Sequence, residues 1–214
     1  MPFKIQAYKQ IEEDVMGKAV IVAVSKMRTI PEIFQAYNEG VRDFGENYVQ
    51  ELMEKQSALP ADIRWHFIGH LQRNKVKYIA PFVHLIHGVD SLKLLEEISK
   101  QGLKFGRPIK VLLQVHIASE ETKFGFDADE LNVVRVEDFP GCEITGMMGM
   151  ASFSDDLEKV RKEFGLLKEL FEKHKRFLGT TPVLSMGMSG DYKIALEEGS
   201  NMIRIGSALF GARI

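Results

Sequence analysis

A single cysteine, Cys142, in 214 residues excludes an internal disulfide and fits a reducing compartment. No apolar run approaches the roughly 20 residues that a bilayer-spanning helix requires. The opening segment, MPFKIQAYKQIEED, carries charges where a secretory signal would place an apolar centre. Charge of either sign is not in excess: 28 basic residues against 30 acidic leave a net charge of −2, which gives no global attraction to nucleic acid or to an anionic membrane. There is no H-E-x-x-H. His66 and His70 are four apart, but on a segment that reads as strand and loop, and His84 and His87 read as structural histidines flanking a buried strand, so no metal site is expected. Linkers, low-complexity tracts and short repeats are also missing. The expectation is a cytoplasmic, soluble, monomeric protein with one domain over residues 1–214.

What is present is ordinary for a globular chain, 45% hydrophobic and 27% charged, and long enough to bury a sizeable core. Short apolar, β-branched runs alternate with segments of helical spacing. Strands are expected at 19–24, 41–44, 64–68, 83–86, 109–117, 142–150, 182–186 and 201–205. Helices are expected at 3–16, from Thr29 with Pro31 and Glu32 in its first turn, from Asn47 to about Ser57, and at 72–79, 92–100, 127–136, 155–177 and 189–198, with a last turn at 207–211. Such alternation predicts parallel strands with right-handed crossovers. Eight units fit an α/β fold of one kind, a single (β/α)8 TIM-type barrel, with an extra N-terminal helix (1–17) packed on it. The competing open doubly wound sheet would carry G-x-G-x-x-G after its first strand, where this chain reads Ser25-Lys26-Met27.

In such a barrel the chemistry sits at the C-terminal ends of the strands. The first strand, AVIVAV, delivers Lys26 there. Partial desolvation at that position favours a neutral, nucleophilic amine able to form a Schiff base; taken alone, the stretch reads more readily as a solvated lysine opening a loop. The last two strands reverse that order. SMGMSGD and IRIGSALFG each place small residues at a strand-to-helix turn, where backbone can approach a ligand and N–H groups can bind an anion. Arg204 lies inside the second of these strands, where a guanidinium needs a partner, either a carboxylate at the rim or a bound heteroaromatic acceptor. Period-two alternation puts it on the same face as Gly206. A lysine, a phosphate cradle and a donor between them suit the aldehyde, phosphate and ring nitrogen of pyridoxal 5′-phosphate.

The segments AVSKMRTIPEIFQAYNEGVRDFGENYVQE, WHFIGHLQRNKVKYI and LSMGMSGDYKIALEEGSNMIRIGSALFGAR together resemble the pyridoxal phosphate homeostasis protein family, whose fold is similar to the N-terminal barrel of alanine racemase. The resemblance covers about 19–213. It implies that Lys26 carries the cofactor as an internal aldimine, that Asn47 lies beside it, that Met188, Ser189, Gly206 and Ser207 surround the phosphate, and that Arg204 faces the pyridine nitrogen. An arginine there disfavours ring protonation and makes the ring a poor electron sink. In alanine racemase a second base, a tyrosine, comes from a second domain of the partner subunit; this chain ends at Ile214, directly after the barrel. The resemblance therefore implies an intracellular pyridoxal phosphate carrier or regulator with no catalytic residue, with pyridoxal phosphate-dependent apo-enzymes as candidate recipients. The alternatives are a low-activity amino-acid racemase, for which Tyr48 and Tyr192 are the tyrosines nearest the motifs, and a Schiff-base aldolase acting on a sugar phosphate. Lys123, in the loop 119–126, reads as solvated more readily than as a second ligand contact. Arg73, Lys75 and Lys77 read as a solvated basic face, and Met147, Met148 and Met150 as core residues beside the cofactor ring.

Overall fold

The computed structural model describes residues 3–118, 124–175 and 178–211. Its strands are β1 (Val20–Val24), β2 (Asp43–Glu46), β3 (Arg64–Phe67), β4 (Leu85–Val89), β5 (Ile109–Gln114), β6 (Cys142–Met148), β7 (Val183–Ser185) and β8 (Met202–Ile205). All neighbours pair in parallel and in chain order, and β8 returns to β1 to close the barrel. The helices are α1 (Ile5–Val15), α2 (Ile30–Asn38), α3 (Val49–Ala58), α4 (Val76–Ile79), α5 (Leu92–Lys104), α6 (Ala128–Asn132), α7 (Leu157–His174), α8 (Tyr192–Glu197) and α9 (Ser207–Phe210). Lys123, with 119–123 of its loop, lies outside the described residues.

Helix α2 begins where the sequence signals it. Glu32 accepts from the Thr29 backbone N–H at 2.8 Å, and Pro31 occupies the first turn. Helix α1 lies against the barrel's closing turn: Lys4 N–H donates to Leu209 O at 2.8 Å, and the Phe3 ring packs on Phe210 and Tyr8.

The apolar residues form two cores. The larger fills the space between strands and helices, with Phe44, Phe67, Leu95, Phe164 and Leu167 fully buried or nearly so. The smaller lies inside the barrel and contains Val22, Leu85, Leu112, Met148 and Met202. The side chains of His66, His87, Ser185 and Arg204 are also buried, on the same alternating face as that inner cluster.

Several boundaries differ from the periodicity. β2 lies two residues later than 41–44, because its pairing with β3 carries Gly45 and Glu46 into the sheet opposite His66 and Phe67. β4 starts at Leu85 and runs to Val89, so His87 is a strand residue pointing into the barrel rather than a flanking one. The expected helix 127–136 is a short α6 followed by a 3-10 turn at Val136–Asp138. The segment 189–198 becomes helical only at Tyr192, which leaves 187–191 as a turn at the barrel mouth.

Candidate functional site

A cavity of about 530 Å3 opens at the C-terminal ends of the strands. Lys26, Asn47, Met188, Ser189, Arg204, Gly206 and Ser207 all line it. Residues as far apart in sequence as 26 and 207 are thus brought to one place by the closure of β1 onto β8. Val24, Arg28, Ile68, Met150, Phe153 and Asp191 complete most of the wall. Of the three methionines read as core, Met147 and Met148 are buried and only Met150 reaches the cavity.

Lys26 leaves β1 in a tight turn. Arg28 N–H donates back to Ser25 O at 3.0 Å, and Met27 adopts φ 60°, a left-handed conformation unusual for a non-glycine residue. A buried charged cluster beneath the turn holds it in that shape. Lys55 Nζ donates to Ser25 O, Glu46 Oε1 and Glu51 Oε1, each at 2.8 Å. Ser25 Oγ donates to Glu46 Oε1 at 2.6 Å, and Met27 N–H to Glu51 Oε1 at 2.6 Å. Burial pushes the Glu46 carboxyl up, to about 7, against the opposing pull of Lys55. Its second oxygen, Oε2, is buried with no hydrogen-bond partner among the described residues. Lys55 and Glu51 do not stand out in the sequence as site residues. Their one signal is the Glu51–Lys55 spacing of i, i+4 on α3, which ordinarily marks a solvated pair.

Asn47 follows Glu46 at the mouth. The peptide at Gly69 presses on it so closely that a Cβ there would stand 2.4 Å from Asn47 O. Asn47 Oδ1 is buried and has no hydrogen-bond partner among the described residues.

The opposite wall is built by the turn after β7 and the start of α9. Gly187 has φ +97°, and a side chain on it would meet Ala195 Cβ at 2.6 Å, so the turn needs glycine on two counts. Asp191 Oδ1 accepts from Met188 N–H at 2.6 Å and pins the turn. That bond commits the Met188 amide, so Met188 presents its side chain, not its N–H, to the cavity. Ser189 Oγ accepts from Gly206 N–H and Ala208 N–H, both at 3.3 Å, joining the two glycine-containing turns.

Arg204 sits between the walls and is 4% exposed. Among the described residues no carboxylate lies within ion-pair distance of it, so a rim ion pair is not its arrangement. Instead it donates to Ser185 Oγ at 2.6 Å and to Gly149 O at 3.1 Å. Burial lowers its pKa to about 10, with Asp191 pulling the other way, so it stays charged at neutral pH. Neither tyrosine near the motifs lines the cavity. Tyr192 donates to Asp14 Oδ2 at 2.5 Å, and Tyr48 is exposed on an adjoining groove. Among the described residues no cluster of three or more His, Cys, Asp or Glu is placed to hold a metal ion, and no helix is long and apolar enough to cross a membrane.

An eight-stranded parallel barrel with a strand-end lysine facing a pair of glycine-containing turns and a buried arginine defines a recognisable class of small-molecule-binding barrels. The family model described as alanine racemase, N-terminal domain, matches residues 6–214. The chain is 38% identical over 211 residues to the pyridoxal phosphate homeostasis protein of Aquifex aeolicus, covering 96% of this chain and 92% of that one. It is 39% identical to the protein of the same name from Homo sapiens, covering 90% and 76%. The structure of PipY from Synechococcus elongatus without pyridoxal phosphate superposes with a TM-score of 0.91 at 31% identity, covering 97% of this chain and 99% of that one; PipY with pyridoxal phosphate bound gives 0.88 over the same shares. The chain belongs to the alanine racemase N-terminal domain family and, within it, to the pyridoxal phosphate homeostasis proteins.

Proposed function

We propose that this chain binds pyridoxal 5′-phosphate at the barrel mouth and serves in its intracellular homeostasis as a non-catalytic carrier or regulator. The observation that carries the reading is the convergence of Lys26, Asn47, Met188, Ser189, Arg204, Gly206 and Ser207 on one cavity. The residues present suit the group. Lys26 brings an amine to the mouth, Asn47 Oδ1 is a buried acceptor without a partner, and the joined turns at Ser189 and Gly206 bring small residues to an anion's place. PipY, named above, has been seen with this cofactor bound.

Bound pyridoxal phosphate supplies an aldehyde for covalent attachment and a ring that can withdraw electrons when its nitrogen is protonated. The chain's own residues then decide what is done with it. Lys26 Nζ would be the point of covalent attachment. Arg204, charged and held by Ser185 and Gly149, would offer its remaining N–H groups to the ring nitrogen and oppose protonation there. A tyrosine base is not supplied by Tyr48 or Tyr192, which are placed elsewhere. These features favour holding the cofactor over turning over amino acids. The reading extends to a cytoplasmic monomer that passes the cofactor to apo-enzymes.

The test is the visible absorption spectrum of the protein loaded with pyridoxal phosphate, before and after borohydride, with peptide mapping. The expected result is an imine band that borohydride removes, a pyridoxyl adduct on Lys26, and no racemase or transaminase turnover. Loss of the band in Lys26→Ala completes it. A protein that cannot be loaded overturns the reading and leaves the aldolase alternative, which forms its imine only with a carbonyl substrate. Racemase turnover by the loaded protein overturns the non-catalytic part.

A further inference from the structure

A continuous polar chain runs through the interior of the barrel, from the cavity towards its opposite end. Arg204 Nη1 donates to Ser185 Oγ at 2.6 Å. Ser185 Oγ lies 3.4 Å from His87 Nδ1, His87 Nε2 lies 2.9 Å from His66 Nδ1, and His66 Nε2 lies 3.0 Å from Asp43 Oδ1. Arg64 closes the far end with two donors to Asp43, at 2.7 and 2.5 Å. Ser185, His66 and His87 are 0% exposed, so solvent does not compete for these bonds. Among the described residues the other ring against His66, besides His87, is His84, 5.3 Å away between centroids.

We propose that His87, His66 and Asp43 are positioning residues for Arg204, acting through the Ser185 hydroxyl. The directions of the hydrogen bonds carry this. Burial alone would raise the Asp43 carboxyl, but the bonds from Arg64 and His66 more than offset it and hold it at about 2, so it only accepts. His66 Nε2 therefore donates to Asp43, and the proposal assigns the His66 ring that one proton, which leaves Nδ1 as an acceptor. Complete burial holds His87 neutral, with one donor and one acceptor. It donates from Nε2 to His66 and accepts at Nδ1, and the hydrogen that fills this acceptor is that of Ser185. The Ser185 lone pairs are then turned to Arg204. Asp43 thus sets, three bonds away, which face of the serine hydroxyl meets the guanidinium. With Ser185 and Gly149 O as its two anchors, the guanidinium plane is fixed and its other N–H groups are left for the cavity. Reversing the chain would aim the hydroxyl hydrogen away from His87 and loosen that anchor.

The proposal rests, for its effect on ligand, on the reading that pyridoxal phosphate places its ring nitrogen at Arg204. Its first test does not need the ligand. Long-range 1H–15N correlation spectra of the cofactor-free protein are expected to show His66 and His87 both as Nε2–H tautomers. An Asp43→Asn variant can donate to His66 Nε2 and reverse the chain, so His87 is expected as the Nδ1–H tautomer. The second test is binding. Asp43→Asn and Ser185→Ala are each expected to bind pyridoxal phosphate roughly tenfold more weakly, the loss of about one net hydrogen bond, and to shift the absorption maximum, while borohydride still traps the adduct on Lys26. Should Asp43→Asn fail to fold, Ser185→Ala carries the binding test alone. His87 found as Nδ1–H in the wild type, or variants whose affinity and spectrum match the wild type, overturn the proposal. A wild type that cannot be loaded while both histidines are Nε2–H would instead sink the cofactor reading and its binding consequence, with the chain's direction standing.

Discussion

Lys55 is the residue whose removal should be felt most. Lys55 is 4% exposed and Glu46 0%, and the Lys55 ammonium lies 2.8 Å from Glu46 Oε1 and 2.8 Å from Glu51 Oε1. At that distance one such pair is worth about 6 kcal/mol at an effective dielectric constant of 20, and the cost of dehydrating the two ions consumes much of it. Deleting the cation returns none of that cost for the buried Glu46. Lys55→Met, which keeps the stem's packing, is therefore expected to destabilise by about 3–5 kcal/mol at pH 8. At about 2–4 °C per kcal/mol for a chain of this size, the midpoint falls by roughly 6–20 °C. The penalty depends on pH in a definite direction. Glu46 is raised in the folded protein from the usual 4.5 to about 7, so the stability linked to its proton is present below about 4.5 and is lost as pH rises through about 7. Without Lys55 its value climbs further, so the difference between variant and wild type grows from pH 5 to pH 8. Urea unfolding at the two pH values measures both quantities. A penalty under about 1 kcal/mol, or an equal one at pH 5 and pH 8, would refute the reasoning, since it would mean that water reaches the cluster.

Other expectations follow from single contacts. Gly187→Ala combines φ +97° with a 2.6 Å approach to Ala195 Cβ, and should cost about 1–3 kcal/mol in thermal unfolding while weakening ligand binding at the turn it shapes. Glu46→Gln, an amide that needs no ionisation, should flatten the pH dependence of stability between pH 5 and pH 8; an unchanged slope would place that titration on another group. Burial pushes the Cys142 thiol up to about 12, so it should resist alkylation at pH 8 in the native state and react on unfolding, as mass spectrometry of timed samples would record.

Much of the fold was legible because a parallel barrel writes itself in one dimension. Strands such as VIVAV at β1 are short apolar runs because both faces are covered, and the crossovers that return the chain to the same end are helical in spacing. The same rule told where the chemistry must lie. Lys26 and the turns at 187–191 and 206–207 could be picked out as strand-end residues before any contact was known, Arg204 as a charge inside the last strand, and the family motifs named the remainder. What lay outside this local grammar depended on closure. That β1 pairs with β8, setting Val22 beside Arg204, is a long-range fact, and so is the packing of α3 under the Lys26 turn that makes a surface-looking Lys55 a buried cation. The sequence by itself determined the rhythm of elements and the residues offered to the mouth. Only the tertiary structure decided that His66, His87, Ser185 and Arg204 share one buried interior, because each strand contributes a single inward side chain per pleat and their meeting exists only once the barrel is shut.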